Sequence, residues 1–149
     1  MRRRGAVGLV LASSLSVLGC QAASPSPGAV SAASPVPASS PLAGTSWRAE
    51  EIRGQRATDD AAPTITFEGP ARAVGSTGCN RYIAPLDVAA TTLRLGEIVM
   101  TRRACPPAVM DQEQRFLAAL AAARAYRQER DVLLLLDEGG RPLLRLSRT

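Results

Sequence analysis

Residues 75–85 read GSTGCNRYIAP and hold most of the side chains that could do chemistry. Cys79 could serve as a nucleophile, a metal ligand, a redox thiol or one end of a disulfide. The chain has two other cysteines, Cys20 near its start and Cys105 downstream. It has no histidine. That removes Ser-His-Asp and Cys-His catalysis. It also removes the commonest metal ligand and the usual general base near neutral pH. Any catalysis would run on Asp, Glu, Cys, Tyr or Arg alone. Asp59 and Asp60 are adjacent, so their side chains diverge, and they read as a solvated turn rather than an acid–base dyad.

The chemistry of the thiols depends on the compartment. The chain opens MRRRGAVGLVLASSLSVLGC. A basic start, Arg2–Arg4, precedes an apolar run from Ala6 to Leu18. The run is the length of a signal-peptide core and too short to span a bilayer. Val17-Leu18-Gly19-Cys20 resembles a bacterial lipobox, in which the cysteine is lipidated and becomes the mature N-terminus. Residues 1–19 therefore read as a lipoprotein signal peptide and Cys20 as the lipidation site, which anchors the protein to a membrane. Residues 20–41 are rich in Ala, Ser and Pro and carry no charge or aromatic. Such a segment buries too little apolar surface to offset its ordering entropy and reads as a disordered tether. Residues 42–149 form the folded module, a normal single-domain length. The expected location is outside the cytoplasm, on the cell membrane or outer membrane, with the module in the periplasm or extracellular.

In an oxidising compartment, Cys79 and Cys105 read first as a structural disulfide. Such a bridge closes a loop of about 27 residues and stabilises by roughly 3–4 kcal/mol on the chain-entropy account. Three alternatives stay open. Zinc would need carboxylates to complete its ligands. A redox pair would need a lowered thiol pKa, to which Arg81 and Arg103 would contribute. Two buried free thiols are the third. No catalytic residue, metal ligand or cofactor is assigned. Gly75, Gly78 and Asn80 read as turn residues that permit left-handed backbone. Arg81, Tyr82, Arg102 and Arg103 form a candidate recognition surface, with the Tyr82 ring partly buried.

The formal net charge is +5, but three of the arginines are Arg2–Arg4. From Cys20 onward, 15 arginines face 13 acidic residues. That balance has no basic stripe of the kind nucleic acid binding requires. Every basic residue is arginine, which matches GC-rich codon usage.

Short strands must position the cysteine loop. Trp47, Ala49 and Ile52 mark one, ending at the turn Arg53-Gly54-Gln55. Ile65 and Phe67 alternate with polar residues, and Glu68-Gly69-Pro70 turns the chain into Ala71–Ser76. Tyr82–Val88 and Thr91–Leu95 read as two strands or one broken strand. After Pro106-Pro107, a helix is expected from about Ala108 to Arg124. Val109, Phe116, Leu117, Leu120 and Ala121 would form its apolar face, with Asp111 and Glu113 placed for the macrodipole. Val132–Leu136 reads as a strand covered on both faces, and Gly139-Gly140 turns it into Pro142–Leu146. The order predicts an α+β fold: a strongly curved, mostly antiparallel sheet, open-barrel-like, with one packed α-helix.

Gly44-Thr45-Ser46-Trp47, Thr64–Phe67, Gly75–Tyr82, Met100-Thr101-Arg102-Arg103-Ala104-Cys105 and the Glu113…Phe116-Leu117…Leu120 helix resemble the META domain, a family that includes HslJ-like heat-shock proteins. The resemblance covers roughly residues 42–147. It implies a small curved antiparallel sheet with a helix on it, and association with the cell envelope or stress responses. It implies no reaction. The family often carries Gly-x-Tyr-Thr-like residues after Asn-Arg-Tyr, whereas this chain has Ile83-Ala84-Pro85-Leu86. Pro85 lacks a backbone donor, so that strand is expected to bend or to lie at an edge. The leading expectation is a non-enzymatic, lipid-anchored envelope protein with an unidentified protein or envelope partner, membrane contact through Cys20, and no nucleic acid. A thiol-based redox protein using Cys79 and Cys105 is one alternative. A chaperone- or pilot-like lipoprotein binding a peptide at a sheet edge is the other.

Overall fold

The structure is a computed structural model, and it describes residues 40–149. The signal peptide, Cys20 and nearly all of the tether lie outside the described residues. Among the described residues ten strands occur in chain order: β1 (Ser46–Ile52), β2 (Gln55–Arg56), β3 (Thr64–Phe67), β4 (Arg72–Ser76), β5 (Arg81–Ala89), β6 (Thr92–Leu95), β7 (Val99–Met100), β8 (Ala125–Glu129), β9 (Val132–Leu136) and β10 (Pro142–Arg148). A short 3-10 turn spans Asp59–Ala61, and helix α1 spans Pro107–Ala122.

All pairings are antiparallel. The sheet runs β10-β9-β8-β6-β5-β4-β3-β1, and β1 pairs back onto β10, closing an eight-strand barrel. The expected curved sheet with one helix is present, and the closure completes what was anticipated as an open barrel. Alternation drives it. In β5, Tyr82, Ala84 and Leu86 point inward while Arg81, Ile83, Pro85 and Asp87 are exposed. Trp47, Ile65, Phe67, Leu93, Leu133, Leu135, Leu144 and Leu146 fill the interior, and Phe116, Ala119 and Leu120 of α1 join the same core. The Trp47 indole donates to Thr45 Oγ1 (2.7 Å), and the Arg148 guanidinium lies 4.8 Å from the ring centroid.

Three expectations need correction. The stretch after α1 is β8, to which the sequence assigns no element; Tyr126 lies opposite Leu135, and that pairing overrides the local preference of AYRQE. The helix stops at Ala122, where Arg124 Nη1 donates to the carbonyls of Ala121 (2.8 Å) and Ala123 (2.6 Å). Ala121 itself is exposed. Finally, β9 is not covered on both faces: Leu133 and Leu135 are buried, and Val132, Leu134 and Leu136 only half so.

The β5–β6–β7 region is irregular. Leu86 faces Leu95, while Ile83 faces Val99. One extra residue therefore lies between the two pairings, as in a β-bulge, and β6 and β7 are one broken return strand. The Gly96 amide donates to the Pro85 carbonyl (2.9 Å), so the donor-less Pro85 nitrogen also faces the bulge. Pro85 thus sits where the partner of β5 changes from β7 to β6.

Candidate functional site

The GSTGCNRYIAP stretch spans the end of β4, a tight loop and the start of β5. Cys79 and Cys105 form a disulfide, with Cα atoms 6.0 Å apart. Both thiols are consumed, so neither the free-thiol nor the zinc reading describes this structure. Among the described residues, no group of three His, Cys, Asp or Glu side chains could hold a metal ion.

Behind the bridge lies a buried polar cluster. The Thr77 amide donates to the Asn80 carbonyl (2.8 Å), and the Asn80 amide donates to Thr77 Oγ1 (2.8 Å). The Thr77 hydroxyl donates to the Glu113 carboxylate. Asn80 Nδ2 donates to both Glu113 oxygens (3.1 and 3.0 Å). Asn80 Oδ1 accepts from Thr101 Oγ1 (2.9 Å) and from the Arg103 amide (2.8 Å). The cluster ties three segments together: the β4–β5 loop, the stretch before α1, and α1 itself. Asn80 was expected to serve its own backbone; its side chain instead bridges the other two.

Glu113 was expected among the charges near the helix start. It lies in the second turn and points inward, 3% exposed. A missed signal was present in the sequence: Glu113 stands three and seven residues before Phe116 and Leu120, on the buried stripe. Gln112 beside it is also buried; its Oε1 accepts from the Thr58 amide and its Nε2 donates to the Ala61 carbonyl, each at 2.7 Å. This pins the turn holding the exposed Asp59 and Asp60. Gly78 has φ +97°, and a Cβ there would overlap the Ala61 carbonyl oxygen. A buried carboxylate costs heavily unless its acceptor positions are filled. Here they are filled by fixed donors, away from solvent, so Glu113 holds the loop to the helix.

The candidate recognition residues divide. Tyr82 is buried, 4% exposed; its hydroxyl donates to the Thr64 carbonyl (3.0 Å) and its ring meets Phe116 edge-on at 6.0 Å. Burial raises the phenol pKa. Its placement on a recognition surface is therefore corrected: the ring belongs to the core. Arg81, Arg102 and Arg103 are exposed, and none forms an ion pair among the described residues. Backbone bonds bring them together, since the Thr101 amide donates to the Arg81 carbonyl (3.0 Å) and the Arg103 amide reaches Asn80. Beside them, Ile83 and Val99 face each other across β5 and β7, 40% and 62% exposed. Among the described residues, no helix is long and apolar enough to cross a membrane.

The chain is similar in fold to several solved structures. An NMR structure of a protein from Burkholderia xenovorans shares 24% identity at a TM-score of 0.57, covering 72% of this chain and 83% of that one. A second NMR structure shares 21% at a TM-score of 0.58, covering 71% and 90%. A crystal structure of a DUF4847 family protein from Bacteroides vulgatus shares 17% at 0.57, covering 71% and 93%. No curated protein matches the chain. The META domain family model matches residues 40–149, which span the whole barrel and its helix, and the chain belongs to the META domain family.

Proposed function

We propose that this protein is a non-enzymatic, lipid-anchored envelope lipoprotein whose META barrel is a rigid binding module with a stress-tolerance role. The supporting observation is the fate of the reactive-looking cluster. Cys79, Thr77, Asn80 and Glu113 are all spent on holding the loop to the helix. A site built for chemistry keeps a nucleophile or base open to substrate. Lipidation at Cys20 and the tether would place the module at a membrane surface, exported and free to meet an envelope partner.

The test is complementation of a deletion strain under envelope stress. Wild type is expected in the membrane fraction, carrying a fatty-acid label, and Cys20→Ala to lose both label and rescue. Cys79→Ala/Cys105→Ala is expected to rescue at temperatures where it stays folded. Loss of rescue by a folded double variant would favour the thiol redox reading instead.

A further inference from the structure

We infer that the outer edge of β7 is a docking strand for an extended, acidic segment of an envelope protein. This rests on the binding-module reading and names its site and partner class. The Thr101 amide donates to the Arg81 carbonyl, so residues 81 and 101 are a hydrogen-bonded antiparallel pair. Such pairs alternate with non-bonded ones, so Tyr82 and Met100 are a non-bonded pair. The N–H and C=O of Met100 therefore point away from β5. Among the described residues no strand lies on that side: β7 pairs only with β5, and β8 meets the broken strand at its far end, where Thr92 faces Ala125.

An open edge of this kind is a template for strand addition. The side chains around it define the guest. Ile83 and Val99 offer an exposed apolar pair beside the edge. Arg81, Arg102 and Arg103 stand at one end of it, without carboxylate partners among the described residues. Glu97, exposed in the bulge, marks the other end and sets polarity, so the acidic residues of the guest belong beside the arginines. Residues 20–41 carry no charge at all and would leave the arginines unanswered. An acidic guest with alternating apolar residues satisfies the backbone, the apolar pair and the charge together.

The test uses the full-length oxidised protein and a labelled decapeptide alternating Asp and Val, with a Lys-for-Asp control. The acidic peptide is expected to bind and to slow exchange of the Met100 amide. The Arg81→Glu/Arg102→Glu/Arg103→Glu variant is expected to lose at least about tenfold in affinity and to prefer the Lys peptide. Should that variant misfold, Arg102→Gln/Arg103→Gln reads the same loss more gently. Equal binding of both peptides, or of neither, overturns the proposal. So does a Met100 amide already protected without peptide, whether by a dimer or by the chain's own N-terminal segment. In cells, a photo-cross-linker replacing Val99 should capture an acidic segment of a partner. Capture from Arg127 on β8 but not from position 99 would overturn the edge and keep the binding module; capture from neither would remove both.

Discussion

Two regions only a few residues apart along the chain treat polar groups in opposite ways. Around the disulfide, every polar side chain of Thr77, Asn80 and Glu113 is buried and paired. At β7, a backbone edge without a partner among the described residues lies beside the exposed pair Ile83 and Val99. The same connection produces both. Thr101 and Arg103 deliver their hydrogen bonds to Asn80, and that anchoring holds β7 in place while leaving its far side open. A buried network resists change because each lost partner leaves another group unpaired. An exposed edge has no such penalty and is free to be used for recognition. In this barrel the reactive-looking residues supply rigidity, and on the docking proposal an ordinary-looking valine would mark the working surface.

The contrast can be broken by unequal substitutions. The largest effect is expected from Cys79→Ala/Cys105→Ala, which should lower unfolding free energy by about 3–4 kcal/mol, read as a shift in denaturant midpoint between oxidised and variant protein. Asn80→Ala comes next, at about 2–4 kcal/mol, because it strands the Glu113 carboxylate and the Arg103 amide. Glu113→Gln should cost less than Glu113→Ala, since one amide oxygen can still accept from Thr77 or Asn80. Gly78→Ala should cost about 1–3 kcal/mol, and more than Gly54→Ala, since a Cβ at Gly54 meets nothing within 4 Å although its φ is also positive. Val99→Thr should move stability by less than about 0.5 kcal/mol. A Val99→Thr loss as large as that of Asn80→Ala would erase the distinction.

The smallest effect concerns pH. Asp137 lies in the β9–β10 turn, where the Arg141 backbone amide is the main reason its carboxyl is held below the usual range; its Oδ1 accepts from that amide and from Gly139. The folded pKa is the lower one, so its contribution is present above the unfolded value and fades as pH falls through the folded value. Asp137→Asn should flatten only that acid limb of a melting-temperature profile. No change in the limb would place the dependence elsewhere.

Much of the barrel was legible because alternation and turn residues are local. Ile65 and Phe67, the Glu68-Gly69-Pro70 turn and the Gly139-Gly140 turn all fell where the strands begin and end. The disulfide was legible from the thiol count together with the expectation of export. What was hidden depended on distant partners. AYRQE carries no strong strand signal and becomes β8 only because β9 pairs with it. Glu113 reads as a surface charge until Asn80 and Thr77, more than thirty residues earlier, are brought beneath it. The open edge of β7 follows from a one-residue bulge, and no spacing rule along the chain shows which side of a two-residue strand will lack a neighbour.

Native-state amide exchange on the oxidised full chain tests the central contrast most directly. The amides of Thr77, Asn80 and Arg103 should exchange only through global unfolding, because each donates to a fixed acceptor within the staple. The Met100 amide should exchange far faster than they do, although it lies within the same short connection. Protection of Met100 equal to that of Asn80, or rapid exchange at Asn80 and Arg103, would contradict the account of a closed staple beside an open edge.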